Sequence, residues 1–459
     1  MRKIHQMPIP LAFLAGLSVN AAAAVVIEPS RMLSIAAEPG SVCEIFAPDG
    51  SSKGRPLTVF ADASGHARLN VANAATGAAL STTCRNPVGL RRTSPLTLDR
   101  AIVLPERRAT PRPVEFVAHG TMGVLSPMRL DVAKAAPADL LKYGYPARPD
   151  PVKSPKAYKV WLYAMTTPGV YVQARPLRRP GIVHGPLNLH QVSAGPVVSV
   201  EQARTVMLQS GPVIRHGAGG GGTSSFSTSP NWSGYVATTG LTQYNWVSGG
   251  WVVPGALPAP NQFGIDYSSE WVGLDGYGTN DVIQAGTESD VMQVPTWGHI
   301  ATISSTYAWY EYYPDFEIAV PGLGVSPGDS VWVYAFVDTA PDGDTRGNFL
   351  LSNDTTNQIT VTSEEIPSGT TSPLNSAEWI VERTQIDGAY PALADYGTAQ
   401  MSQTFYGGAM ASGSIGFSSE PRLMQQVAMT RDGSNTTTLL SFAHAHGSEA
   451  VDFIWQAPQ

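Results

Sequence analysis

Charge is scarce in this 459-residue chain and unevenly placed: only 14% of its residues are Asp, Glu, Lys or Arg, and residues 223–459 contain no lysine. Residues 1–222 hold 25 Lys and Arg against 12 Asp and Glu, a net of +13, while residues 223–459 hold four Arg against 24 Asp and Glu, a net of −20. The basic residues of the first half are scattered among Pro and Gly, not clustered beside aromatic platforms, which argues against nucleic acid as a partner. Long apolar runs are missing too: no segment after the N-terminus has the roughly 18 uninterrupted apolar residues of a membrane span. Cysteine occurs twice, as Cys43 and Cys84, without a metal-ligand spacing. In an exported chain these two are expected to form a disulfide, and the acidic half, which has no cysteine, must be held together by its core.

With 43% hydrophobic residues, 45 Gly and 37 Pro, the chain is too apolar for wholesale disorder and too rich in turn formers to be mostly helical. The start, MRKIHQMPIPLAFLAGLSVNAAAAV, has a basic tip, a short apolar stretch and small residues at Ala21 to Ala24. That pattern is a secretory signal peptide over residues 1–24 and implies an extracellular protein. Short alternating runs such as Leu57 to Ala61 and Ala67 to Val71, divided by turn clusters, predict a small disulfide-linked β-module over 25–88. Residues 89–222 read as a basic, Pro-rich region with two short helices, about Ala138 to Tyr143 and from Ser154 as N-cap through KAYKVWLYAM, ending in the linker Gly217 to Gly222. From 223 to 459 the texture changes to aromatic, Thr- and Val-rich runs such as NWVSGGWVV, SSEWVGLDG and SVWVYAFVD. Many strands with dense turns predict an all-β fold, a large antiparallel sandwich or barrel.

The familiar hydrolase signatures are missing from the acidic half. There is no HExxH, and the HxH pair His444 and His446 has no third ligand in pattern. GVSPG at 324–328 matches GxSxG, but Pro327 follows the serine and a strand comes after the turn, so the nucleophile-elbow context fails. No DTG or DSG triplet exists, which removes paired aspartates in their usual form. What remains is a set of acids and amides beside tryptophans. Period-two alternation puts Trp271, Gly273 and Asp275 on one face of SSEWVGLDG, Trp309 and Glu311 on one face of AWYEYYP, and Ser376, Glu378 and Ile380 on one face of SAEWIVER. Carboxylates flanked by bulky apolar neighbours lose solvation, which raises their pKa. The plainer alternative is that Glu311 and Glu378 are outward, solvated strand positions.

The strings NWSGY at 231–235, EWVGLDG at 270–276, VIQAGTE at 282–288, WYEYYPD at 309–315 and SAEWIVER at 376–383 together resemble the glutamic peptidases, or eqolisins, in the family's order. The resemblance covers most of 230–459. It implies a concanavalin-like β-sandwich of two antiparallel sheets, endopeptidase activity at acid pH and a Gln/Glu catalytic pair without cofactor or metal. By motif the pair falls on Gln284 and Glu378, with Asp275, Trp309, Glu311 and Trp271 as supporting residues. The residue types suit that chemistry. Gln cannot titrate and acts through hydrogen bonds to a developing oxyanion, while Glu takes a proton from water and returns it to the leaving amine. One departure is the absence of cysteine from the catalytic half, where fungal members of the family carry it.

The expectation is therefore a secreted acid endopeptidase, monomeric, acting on protein or peptide substrates and made as a zymogen whose basic pro-region inhibits the acidic domain. Acid should weaken the attraction between the halves and release the pro-region, with self-cleavage in the linker Arg215 to Gly222. Two other readings compete. Glu311, Asp315 and Glu317 resemble the spaced acids of a jelly-roll glycoside hydrolase, although Pro314 interrupts their alternation. A lectin-like binding module would instead use the aromatics to stack on sugars.

Overall fold

The computed structural model describes residues 31–46, 55–62, 65–72, 79–97, 131–142, 148, 150–152, 155–166, 170–187, 226–238, 243–260, 264–296, 299–339, 345–407, 412–414, 424–434, 438–446 and 450–456. The signal peptide, the 215–222 linker and the Ser154 cap lie outside them.

The acidic half is a sandwich of two antiparallel layers. In the first, Met424–Thr430, Trp232–Ala237, Ala377–Glu382, Ile265–Leu274, Val282–Thr296 and His299–Tyr313 pair side by side in that order. In the second, Ala450–Trp455, Thr398–Gly407, Trp246–Val252, Ser330–Thr339, Thr345–Asn353 and Gln358–Glu365 do the same. Strand Leu439–His446 pairs with both Met424–Thr430 and Ala450–Trp455, joining the layers along one side. β-branched and aromatic residues dominate because they fill a pleated surface well. Between the layers, Val272, Ile283, Tyr310, Trp379 and Val381 from the first meet Val247, Trp251, Val333, Phe349 and Met401 from the second in one buried cluster. The all-β expectation holds.

The N-terminal half wraps this sandwich in three places. Strands Leu57–Phe60, Val42–Phe46, Ala79–Arg85 and Arg91–Thr97 form a four-stranded sheet, with Cys43 opposite Cys84 and the two disulfide-bonded. This sheet continues past the boundary expected at residue 88. The module joins the sandwich through His66–Ala72, which pairs with His299–Tyr313. Its apolar cluster of Leu57, Leu69 and Val71 merges with Met292, Val294 and Ile303. Helix Pro155–Thr166 packs Trp161 and Met165 against Trp246, Trp332, Tyr334 and Phe336 on the outer face of the second layer. The third contact is a strap, residues 170–187, which begins by pairing Val170–Tyr171 with Gln358–Ile359 at the edge of the second layer and later lays His184 on the outer face of the first.

One buried acid lies on the core side of the first layer. Glu270 accepts a hydrogen bond from the Thr287 hydroxyl at 3.1 Å, and its other oxygen has no partner. Burial pushes its pKa up from 4.5 to about 8, against the smaller lowering effect of the Thr287 bond. A carboxyl that binds its proton more tightly when folded favours the folded state in acid, and that contribution is lost as pH rises from the unfolded value toward the folded one. The loss is of the order of 4 kcal/mol across that span. Glu270→Gln should therefore show a smaller fall in Tm between about pH 5 and pH 8 than the wild type, with similar Tm at the acid end. Equal falls in both proteins would exclude Glu270 as a source of the pH dependence.

Candidate active site

Cross-strand register builds the site. Paired residues of antiparallel strands point to the same face, so the ladders line up three rows across the outer face of the first layer. One row runs Val236, Glu378, Gly273, Gln284, Glu311. The next runs Gly234, Ile380, Trp271, Gly286, Trp309, and the third Trp232, Glu382, Ser269, Glu288, Tyr307. Gln284 and Glu378 thus flank Gly273, the one residue between them. A Cβ there would lie 2.9 Å from the Trp271 ring and 3.1 Å from Gln284 Cβ, so only glycine leaves the gap open.

Each expected site residue has a definite place. Gln284, Glu378 and Glu311 share the first row and are fully buried, so the solvated alternative for the two acids does not apply. Both Glu378 oxygens lack a hydrogen-bond partner. Burial drives its pKa well above 4.5; the neighbouring Ser376 hydroxyl works the other way without reaching bonding geometry, and Asp275 and Asp281 add to the rise. Trp309 and Trp271 share the second row. Trp309 donates through Nε1 to Ser269 Oγ at 3.0 Å, and Trp271 through Nε1 to Glu382 Oε2 at 2.8 Å. Asp275 sits apart, just past the end of its strand with φ of 65°, where it accepts from the backbone N–H of Leu374 at 2.9 Å and of Asn375 at 2.8 Å. It ties down the entry to the Glu378 strand. Its pKa is pushed up to about 7, mainly by burial.

The strap occupies the face these rows form. Its backbone is stitched at several points: Arg179 N–H to the Glu317 carbonyl at 2.8 Å, Glu317 N–H to the Ile182 carbonyl at 3.1 Å, Asp387 N–H to the Gly181 carbonyl at 2.7 Å and Leu187 N–H to the Gly276 carbonyl at 2.8 Å. At the centre is His184, fully buried. The Gln284 side-chain amide donates to its carbonyl at 2.5 Å. Its N–H points at Glu311, 3.2 and 3.1 Å from the two carboxylate oxygens. Its ring stacks on Trp309 with centroids 3.7 Å apart and planes 8° from parallel. Nε2 lies 3.0 Å from Glu317 and 3.8 Å from Glu288, and Nδ1 lies 3.4 Å from Glu382. One residue on, Asn231 Nδ2 donates to the Gly185 carbonyl at 3.2 Å and to Glu382 at 2.9 Å. Arg179 adds a buried cation 3.6 Å from Asp290 and 4.0 Å from Glu317.

The electrostatics follow from burying many acids with few cations. Desolvation is the largest cause of the raised pKa values of Glu288, Glu311 and Glu382, and it lifts Asp290 to about 7. For His184 desolvation acts downward, but the Glu317 and Glu382 carboxylates outweigh it and hold the ring above 6.5. Ligand atoms of His184, Glu288 and Glu317 also lie within 4.8 Å of one another, a spacing that could hold a metal ion. The imidazole and Arg179 already supply positive charge there.

The sequence reading missed His184, Arg179, Asn231, Glu288 and Glu382 as site residues. Glu288 and Glu382 had a usable signal: each lies four residues beyond the expected Gln284 and Glu378, on the same strand face. His184 had none, because only the fold brings residue 184 onto strands that begin about 50 or more residues later.

The model of the peptidase A4 family matches residues 230–449. Aspergillopepsin-2 of Aspergillus niger is 28% identical over 195 residues, 39% of this chain, and the chain spans 64% of that relative's length. Among solved structures, scytalido-glutamic peptidase with a transition state analog inhibitor aligns at TM-score 0.39 and 20% identity, over 50% of this chain and 98% of its own. Aspergilloglutamic peptidase from Aspergillus niger aligns at TM-score 0.32 and 22% identity, over 42% of this chain and 99% of its own.

If His184 is the charge that lets the strap lie over these acids, His184→Ala should loosen it. Limited proteolysis at about pH 6, below the ordinary imidazole pKa, should then cut within 177–187 at least about tenfold faster than in the wild type. Unchanged protection of the segment would show that the backbone stitching holds it alone.

Proposed function

Because residues 230–449 belong to the peptidase A4 family, we propose that the chain is an exported, glutamic-type acid endopeptidase, held inactive by its own strap. The observation that carries the reading is the carbonyl of His184 on the side-chain amide of Gln284, with Glu378 unpartnered across Gly273. A main-chain carbonyl resting on that amide is placed as a substrate's scissile carbonyl would be. Gln284 would donate to the oxyanion as the carbonyl becomes tetrahedral. Glu378, as carboxylate, would take a proton from the attacking water and, as the resulting acid, give it to the leaving amine. In this closed form Glu378 is buried and holds its proton more tightly than an exposed carboxyl. Once the strap leaves, water reaches it and its pKa falls back toward the ordinary range, which readies the base at acid pH. Glu311 would orient the substrate through the N–H that His184 now presents to it. Trp271 and Trp309 would form the rigid floor beneath.

The pro-region is held by two kinds of contact that respond differently to acid. The module and the helix are held by apolar surface, which acid leaves in place. The strap is held over acids, where two effects oppose each other. Covering Glu288, Glu311, Glu378, Glu382 and Asp290 raises their pKa values, so closure takes up protons and is favoured as pH falls from neutrality toward the ordinary carboxyl value. At the rim, Arg55 bonds Asp387 at 2.9 and 2.6 Å and lowers its pKa below 3.8, so that exposed pair is lost as pH falls through that lowered value. The simple release expected from net charge is therefore confined to strong acid. Protection of the amides of 177–187 against hydrogen exchange, taken relative to the intrinsic rate at each pH, should in a Glu378→Gln precursor be greatest at about pH 5 and smaller below about pH 4. Protection that only falls from pH 7 downward would overturn this balance.

Activity supplies the direct test. Glu378→Gln should abolish digestion of denatured protein substrates at acid pH, and Gln284→Ala should reduce it about 10²- to 10³-fold, with both proteins folded. Wild-type turnover in folded Glu378→Gln would overturn the assignment of the base. A full-length precursor as active as any processed form would overturn the zymogen reading.

A further inference from the structure

The strap marks more than an obstruction, because its central residue sits in a built pocket. Its peptide group is engaged at both ends, the carbonyl by Gln284 and the N–H by Glu311. The direction of its side chain therefore locates where the side chain of the residue carrying the scissile carbonyl would go. That side chain lies flat on Trp309 at 3.7 Å, and Glu317 and Glu382 stand at its two ring nitrogens, at 3.0 and 3.4 Å, with Glu288 at 3.8 Å. All four pocket residues are fully buried. Resting on the peptidase reading above, we infer that Trp309, Glu288, Glu317 and Glu382 form the subsite for the residue whose carbonyl is cleaved, and that they select a cationic side chain there, histidine before all others.

The chemistry of the pocket supports that order. A flat imidazolium satisfies the ring face by stacking, gives Glu317 a charge-assisted hydrogen bond at 3.0 Å and holds its other nitrogen 3.4 Å from Glu382, an ion-pair contact without hydrogen-bond geometry. Phenylalanine matches the shape but leaves buried acids without a donor, and unpaired buried groups are costly. Lysine brings the charge without the plane. Glutamate adds a fifth acid to a site that already includes Glu288, Glu317 and Glu382 with Asp290 beside them. At the acid pH of the proposed reaction, histidine is charged at every such position of a substrate. Hydrolysis at this place breaks the C–N bond on the carbonyl side of the histidine, with water supplying hydroxyl to the new acid and a proton to the new amine.

The test uses enzyme obtained by acidifying the full-length precursor and a set of quenched fluorescent peptides differing at one residue: His, Lys, Phe, Leu or Glu. At about pH 4, kcat/KM for the His peptide should exceed that for the Phe peptide at least about 10-fold, with Glu lowest. In Glu317→Gln and Glu382→Gln that ratio should fall toward one. The wild-type ranking needs no variant and decides the matter if either variant fails to fold. Equal cleavage of His and Phe peptides by an enzyme that digests denatured protein would overturn the inference and leave the peptidase reading standing. Failure to cleave any peptide or protein would overturn both.

Discussion

The register of four adjacent strands governs this molecule. Glu378, Gly273, Gln284 and Glu311 are bonded neighbours across Ala377–Glu382, Ile265–Leu274, Val282–Thr296 and His299–Tyr313. A slip of one residue in any ladder would turn its member of the row into the core. The same pairing sets the tryptophan row and the acid row beyond it, so Glu378, Gln284, the two tryptophans and the buried acids share one geometric origin. The other face of these strands carries Val272, Ile283, Tyr310 and Trp379, packed against the second layer. The core thus fixes the register, and the register positions the chemistry. Gly273 and Asp275 serve this arrangement from within the same segment, one by leaving space and the other by anchoring the chain that leads into Glu378.

A face with that much carboxylate has to be either wet or supplied with protons and cations. The strap supplies His184 and Arg179 and removes the water, and the acids respond by binding protons more tightly. The acids that would recognise a cationic substrate are those that hold the strap in place, so in the proposed zymogen recognition and latency would use one set of contacts. The module and helix are anchored elsewhere by apolar surface. Loss of the strap from the cleft therefore does not require loss of the whole N-terminal half.

Several features were legible in the sequence because they depend on local spacing. Period-two alternation placed Trp271 with Gly273, Trp309 with Glu311 and Glu378 with Ile380, and the ladders keep each pair on one face. Pro155 begins a helix that runs to Thr166, as its fixed φ favours. The only two cysteines, Cys43 and Cys84, sit opposite each other on paired strands. The all-β texture, the charge asymmetry and the family strings were equally open to reading, since none requires knowing what lies across the fold. Asp275 shows the limit of alternation, because a left-handed residue just beyond the strand end takes it out of the row.

Only the tertiary structure decided what covers the face and what the acids meet there. Glu317 looked like part of a run of spaced acids, yet it is the partner of an imidazole 133 residues away in sequence. Glu311 meets, through the His184 N–H, a strap that no strand pattern predicts. His184 lies in a segment whose sequence, Pro-rich and basic, carries no periodic signal of its own. Burial, pKa and contact at this site come from segments far apart in the chain, and such properties exist only once the ladders close and the strap lies across them.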